Sequence, residues 1–285
     1  RKNLQKPPDN LAVTDFQVLD KQMQQYPTLI YDGPFSEHLE STEPKALSGQ
    51  AEVSPEEARD KALAFVEKRQ GVDYQASVTG NTNGRIPAYR VEVAPQGDAG
   101  GERTVLDVSR QGGKVIWMLN SRPVGDKAVD IGQARQKALN FLKERGFGDM
   151  RSTYYLLHGN SATFNFAALQ DGVTVYPDLV KVTVALDNGE VTGAETSGYL
   201  MSHRKRDMPT PKVSQEQARR AISTRLTVAG GKLALIPSGV MNEKLAYEFQ
   251  GKLGEDTYLI YVDALNGREE RVMKLIDTPG GTLTM

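Results

Sequence analysis

The sequence predicts an α+β fold of three tandem units, each a helix packed on a four-stranded antiparallel sheet. Three observations predict it. A helix start with the same capping chemistry occurs three times. Each start opens an apolar stripe at helical spacing. Each stripe is followed by four short strand-like runs, the last two separated by a Gly-containing turn.

The helix starts are Val53-Ser54-Pro55-Glu56-Glu57-Ala58-Arg59, Val129-Asp130-Ile131-Gly132-Gln133-Ala134-Arg135 and Val213-Ser214-Gln215-Glu216-Gln217-Ala218-Arg219. Ser54, Asp130 and Ser214 are strong N-cap residues, because their side-chain oxygens accept from a free backbone N–H. Glu57, Gln133 and Gln217 stand three residues later and complete capping boxes. The stripes are Ala58, Ala62, Phe65 and Val66, then Ala134, Ala138, Phe141 and Leu142, then Ala218, Ile222 and Leu226. Each needs an apolar partner surface.

The strand runs supply that surface. The first copy offers 74–78, 89–93, 104–108 and 114–119. The second offers 154–157, 162–168, then 173–176 leading into 180–186, and 191 onward. The third offers 233–236, 246–249, 258–262 and 268–275. Alternation at Val180, Val182, Val184 and Leu186 marks a sheet with one buried face. Asn188-Gly189 and Asn266-Gly267 read as type I′ hairpin turns. Gln111-Gly112-Gly113 stands in their place in the first copy and reads as a longer loop. Short turns between consecutive strands imply antiparallel meanders.

The predicted division is residues 1–50 as an N-terminal helix and aromatic extended segment, then units at 51–122, 127–202 and 211–285. The N-terminal helix is read at 14–25, from the Thr14 cap and apolar Phe16, Leu19 and Met23. The segment from Tyr26 to Ser36 carries three aromatic residues and two prolines; it is either an arm packed across the sheets or a contact surface. Packing is the favoured reading, since exposed aromatic clusters are costly unless bound. The second linker, Ser202 to Pro211, holds His203-Arg204-Lys205-Arg206 and reads as a solvated linker, with a partner patch as the alternative.

Composition narrows the function classes. The 285 residues are 39% hydrophobic and 25% charged, with 35 Lys and Arg against 36 Asp and Glu. No net field recruits nucleic acid. With no cysteine in the chain, disulfides, thiolate metal sites and cysteine nucleophiles are excluded. No run approaches the about 20 apolar residues that span a bilayer.

Catalytic constellations are sparse. His38, His158 and His203 are far apart and lack metal-ligand spacing. No G-x-S-x-G elbow occurs. Ser202 and Lys205 match S-x-x-K by spacing alone. Gly230-Gly231-Lys232 fails as a phosphate loop, because Leu226 and Leu233 occupy the positions of the first glycine and the magnesium-holding hydroxyl. Glu269 and Glu270, adjacent on a strand, point to opposite faces. Trp117 reads as core or inter-unit packing before it reads as a sugar platform. No catalytic residue, metal ligand or cofactor site is named, and the units suit binding through a sheet face or edge.

The helix starts, together with the Asn188-Gly189 and Asn266-Gly267 turns, resemble PepSY domains. Three PepSY-like units preceded by Tyr26-Pro27-Thr28-Leu29-Ile30-Tyr31-Asp32-Gly33-Pro34-Phe35-Ser36 resemble the C-terminal region of the YpeB family of spore germination proteins, from about Tyr26 to the end. That resemblance implies a non-enzymatic regulator or stabiliser of a spore cortex-lytic enzyme of the SleB type, acting by protein contact. It implies a location at the extracytoplasmic face of the inner spore membrane or in the inner cortex, through an N-terminal anchor outside this sequence. Tyr31, Asp32, Gly33 and Pro34 are the candidate partner contact. A peptidoglycan-binding scaffold is the alternative, and the oligomeric state stays open.

Overall fold

The computed structural model describes residues 35, 43–97, 101–238, 242–278 and 281–284. The helix read at 14–25 lies outside them.

All three capping boxes form. Ser54 Oγ accepts from Glu57 N at 3.2 Å while Ser54 N donates to the Glu57 carboxylate at 2.7 Å. Asp130 with Gln133 and Ser214 with Gln217 repeat the exchange. These caps open helices α1 (Pro55–Phe65) and α2 (Ile131–Glu144), then, after a short α3 (Ser197–Ser202), α4 (Gln215–Arg220). Helix α4 ends before Ile222, so the predicted third stripe is only partly helical. Ile222 is still buried, delivered by the turn that follows.

Among the described residues thirteen strands form one hydrogen-bonded sheet. The first meander is β1 (Tyr74–Asn83), β2 (Pro87–Pro95), β3 (Thr104–Ser109) and β4 (Val115–Asn120). The second is β5 (Met150–His158), β6 (Ser161–Gln170), β7 (Val173–Ala185) and β8 (Val191–Glu195). The third is β9 (Thr227–Pro237), β10 (Glu243–Leu253), β11 (Asp256–Asp263), β12 (Glu269–Thr278) and the unforeseen β13 (Gly281–Thr284). The architecture is a mixed α+β fold dominated by its sheet.

The meanders do not stand apart. The last strands of the first two pair antiparallel, with Trp117, Met118 and Leu119 opposite Glu195, Ala194 and Gly193. Helices α1 and α2 therefore lie on one face of a continuous sheet and share one core. Ala58, Ala62, Ala134 and Ala138 are fully buried there, where small side chains let the helices sit close to the strands. Phe65 meets Phe141 edge-to-face at 5.3 Å. The third meander joins the second twice. Thr174 and Val175 of β7 pair parallel with Ala234 and Leu235 of β9, and Gly281 of β13 pairs with Leu156 of β5.

The hairpin turns correct the type I′ reading. Ser109, Ala185 and Asp263 each donate their N–H to the carbonyl five residues on, at Lys114, Glu190 and Arg268. All three loops are thus four residues long, and the first is no longer than the others. Gly113, Gly189 and Gly267 close them at positive φ, whereas Asn188 and Asn266 are not left-handed. The asparagines instead accept from the backbone N–H two residues on, at Glu190 and Arg268. A side-chain bond thus replaces the second left-handed residue that a type I′ turn requires.

Candidate contact site between the second and third meanders

Strand β7 was read as two runs, and the structure shows why. Ala167 pairs with Leu179 and Ala168 with Val175, so Tyr176-Pro177-Asp178 stands out of the ladder as a bulge. Pro177 has no N–H to lose there. The bulge turns both flanking side chains toward the third meander.

Tyr176 is 2% exposed and donates its hydroxyl to Glu248 Oε2 at 2.5 Å. Lys232 Nζ meets Glu248 Oε1 at 2.9 Å. Register places Lys232, Glu248 and Tyr261 side by side on β9, β10 and β11. Tyr261 Oη is buried without a hydrogen-bond partner of good geometry among the described residues. Burial first, then the Glu248 charge, pushes the Tyr176 hydroxyl well above its ordinary pKa. Burial and the neighbouring Tyr176 do the same to Tyr261. Both phenols stay protonated, and the carboxylate is already engaged. Beside this row lies a cavity of about 610 Å3, lined among others by Tyr155, Tyr176, Lys232, Glu248, Leu259 and Leu275.

Asp178 makes the second anchor, and it corrects the solvated-linker reading of the 203–206 run. Arg206 is 7% exposed, and its guanidinium takes Asp178 in a fork of two 2.9 Å bonds. The same group reaches Glu243 of β10 at 2.7 and 2.9 Å. Burial works against its charge, but the bonds to Glu243 and Asp178 outweigh it and raise the guanidinium pKa. His203 Nδ1 lies 2.7 Å from Asp178, its ring stacked on Tyr199 at 4.1 Å. Lys205 alone in the run points outward. The run is a clamp between the second meander and the third.

Tyr31, Asp32, Gly33 and Pro34 lie outside the described residues. Their neighbour Phe35 is described, and it is 4% exposed. Its ring centroid sits 5.2 Å from both Tyr176 and Tyr261, with the Arg271 guanidinium at 5.2 Å. At φ +63° it holds a left-handed backbone that costs a non-glycine residue about 1–2 kcal/mol. For this residue of the aromatic segment, packing is the observed state.

The other residues weighed for chemistry have structural partners or none. Glu57 is a cap, Lys232 pairs with Glu248, and Glu270 pairs with Lys244 at 2.7 Å. His158 is exposed at the end of β5, and His38 lies outside the described residues. Trp117 is half-buried at the joint of the first two meanders, on the face opposite the core residue Met118. Among the described residues no group of three or more His, Asp or Glu is placed to hold a metal. Sequence reasoning missed Tyr176, Asp178, Glu243 and Glu248; the proline inside a strand pattern was the one available signal.

The repeated helix-and-meander elements define the class. Residues 212–273 match the family described as peptidase propeptide and YPEB domain, so this is a PepSY-containing chain. Residues 12–209 match the family described as YpeB sporulation, PepSY1 and PepSY2 domains. The chain belongs to the YpeB family. It is similar to the Bacillus megaterium YpeB C-terminal domain, 30% identical at a TM-score of 0.68, covering 80% of this chain and 100% of that one. It is 32% identical over 276 residues to sporulation protein YpeB of Halalkalibacterium halodurans, covering 94% of this chain and 59% of that protein. The counterpart in Bacillus subtilis is 27% identical over 274 residues, covering 95% and 60%. The chain thus spans about three fifths of the length of these relatives.

Proposed function

We propose that this chain is part of a non-enzymatic sporulation and germination protein that regulates or stabilises a spore cortex-lytic enzyme of the SleB type by direct contact. The supporting observation is its match over residues 12–209 to a sporulation family and over residues 212–273 to the domain shared by peptidase propeptides and YpeB. Propeptide segments accompany an enzyme and are not its catalytic part. The polar side chains between the second and third meanders support the same reading, because Tyr176 fastens β7 to β10 and Arg206 fastens its linker to both meanders. We take the chain as three tandem PepSY-like units at 51–122, 127–202 and 211–285, acting at the extracytoplasmic face of the inner spore membrane or in the inner cortex. No helix among the described residues is long and apolar enough to cross a membrane.

Light scattering of this chain mixed with the purified lytic enzyme tests the proposal. A complex of summed mass is expected, and none at tens of micromolar counts against direct contact. The second reading, a peptidoglycan-binding scaffold, rests on Trp117, half-buried on the face opposite helices α1 and α2. Co-sedimentation with purified cortex that weakens on Trp117→Ala would favour it.

A further inference from the structure

Besides the side-chain contacts, adjacent meanders in this molecule join strand edge to strand edge. Strand β4 adds to β8, β13 to β5, and β9 to β7. Strand β1 takes part in none of these joints. It bonds to β2 on one side, and no strand among the described residues meets its other side. The open edge is ten residues long, from Tyr74 to Asn83, and contains no Asp, Glu, Lys, Arg or Pro. Edge strands of soluble proteins are ordinarily guarded by charge or proline, because a bare row of N–H and C=O groups templates another strand. Here one bulge at Thr79 is the only such guard. Val78, at the middle of the strand, is 36% exposed and among the few large apolar side chains left at the surface.

We propose that β1 is an association edge for a second copy of this chain, paired antiparallel about a two-fold axis near Val78. Two features select a copy over another partner. A strand without charge meets itself with no like-charge opposition, which two-fold pairing of a charged strand would create. The molecule also already contains the arrangement: β4 and β8 are the equivalent last strands of two meanders, paired antiparallel, with both helices on one face of the merged sheet. A β1–β1 joint continues that sheet by the same operation at its free end. One ten-residue edge is small against the roughly 1,200–2,000 Å2 of stable interfaces, so the association is weak and concentration-dependent.

Sedimentation velocity of the whole chain from about 5 to 500 μM tests this without the lytic enzyme, so the outcome is independent of the function proposed above. The expected result is a reversible monomer–dimer equilibrium. Val78→Lys and Val78→Glu should each weaken it at least tenfold, and an equimolar mixture of the two should restore it. The mixture excludes simple misfolding, since two damaged chains would not rescue each other, and circular dichroism of each variant checks the fold. A wild-type chain that stays monomeric throughout overturns the proposal. So do single variants that dimerise like wild type, or a mixture that fails to recover.

Discussion

Replacing Arg206 by alanine removes the clamp between the second and third meanders, and its cost follows from what is left behind. Arg206 is 7% exposed, and it satisfies Asp178, which is 1% exposed, together with Glu243. Truncating one member of a buried ion pair costs about 3–5 kcal/mol, because the orphaned charge stays buried. His203 still reaches Asp178 and Arg204 still reaches Glu243, which points to the lower half of that range. At about 2 °C per kcal/mol for a chain of this size, the Tm should fall by about 6–8 °C. Thermal unfolding followed by circular dichroism reads this directly. A triple variant, Arg206→Met with Asp178→Leu and Glu243→Leu, should recover most of the loss, since apolar replacement of a whole buried ionic cluster is often neutral. A fall of less than 1 °C in Arg206→Ala would refute the clamp. A triple variant as unstable as the single one would refute the orphaned-charge explanation.

Phe35→Ala should cost about 3 kcal/mol, the low end for a buried phenylalanine, and should alter the near-ultraviolet dichroism of Tyr176 and Tyr261; unchanged Tm and spectra would remove Phe35 from the core. Gly189→Ala and Gly267→Ala should each cost about 1–2 kcal/mol in chemical denaturation, because both glycines sit at positive φ. Asp187 predicts a pH dependence. Hydrogen bonds from Arg122 foremost hold its carboxyl well below the ordinary range against the opposing effect of burial, helped by the backbone of Gly125 and Asn188. A depressed folded pKa gives stability that is complete above the unfolded value of about 3.9 and is lost as pH falls toward the folded one. Asp187→Asn should therefore lower Tm at pH 6 and flatten its decline between pH 5 and 2; an identical slope in both proteins would contradict the assignment.

Much of the fold was legible because its signals are local. Ser54, Asp130 and Ser214 announce helices through chemistry contained within four residues. The alanine and phenylalanine stripes of α1 and α2 are buried as their spacing requires. The turns were placed correctly and typed wrongly, because Asn-Gly also suits a four-residue loop in which asparagine caps the backbone. What joins the meanders was not legible. Trp117 opposite Glu195, Thr174 opposite Ala234, and Gly281 opposite Leu156 are pairings of distant residues that no local pattern encodes. The contact site was hidden for the same reason. Arg206 looks like solvated charge until Asp178 and Glu243, 28 and 37 residues away, are brought against it. Tyr176 and Asp178 read as a break in a strand, and the break is what aims them.

Contact of this chain with a cortex-lytic enzyme is what we propose. Its most direct measurement is the activity half-life and cortex-hydrolysis rate of the purified enzyme as this chain is titrated in. A longer half-life or a slower rate that saturates near one chain per enzyme is expected. A half-life and rate both unchanged to tens of micromolar would contradict it.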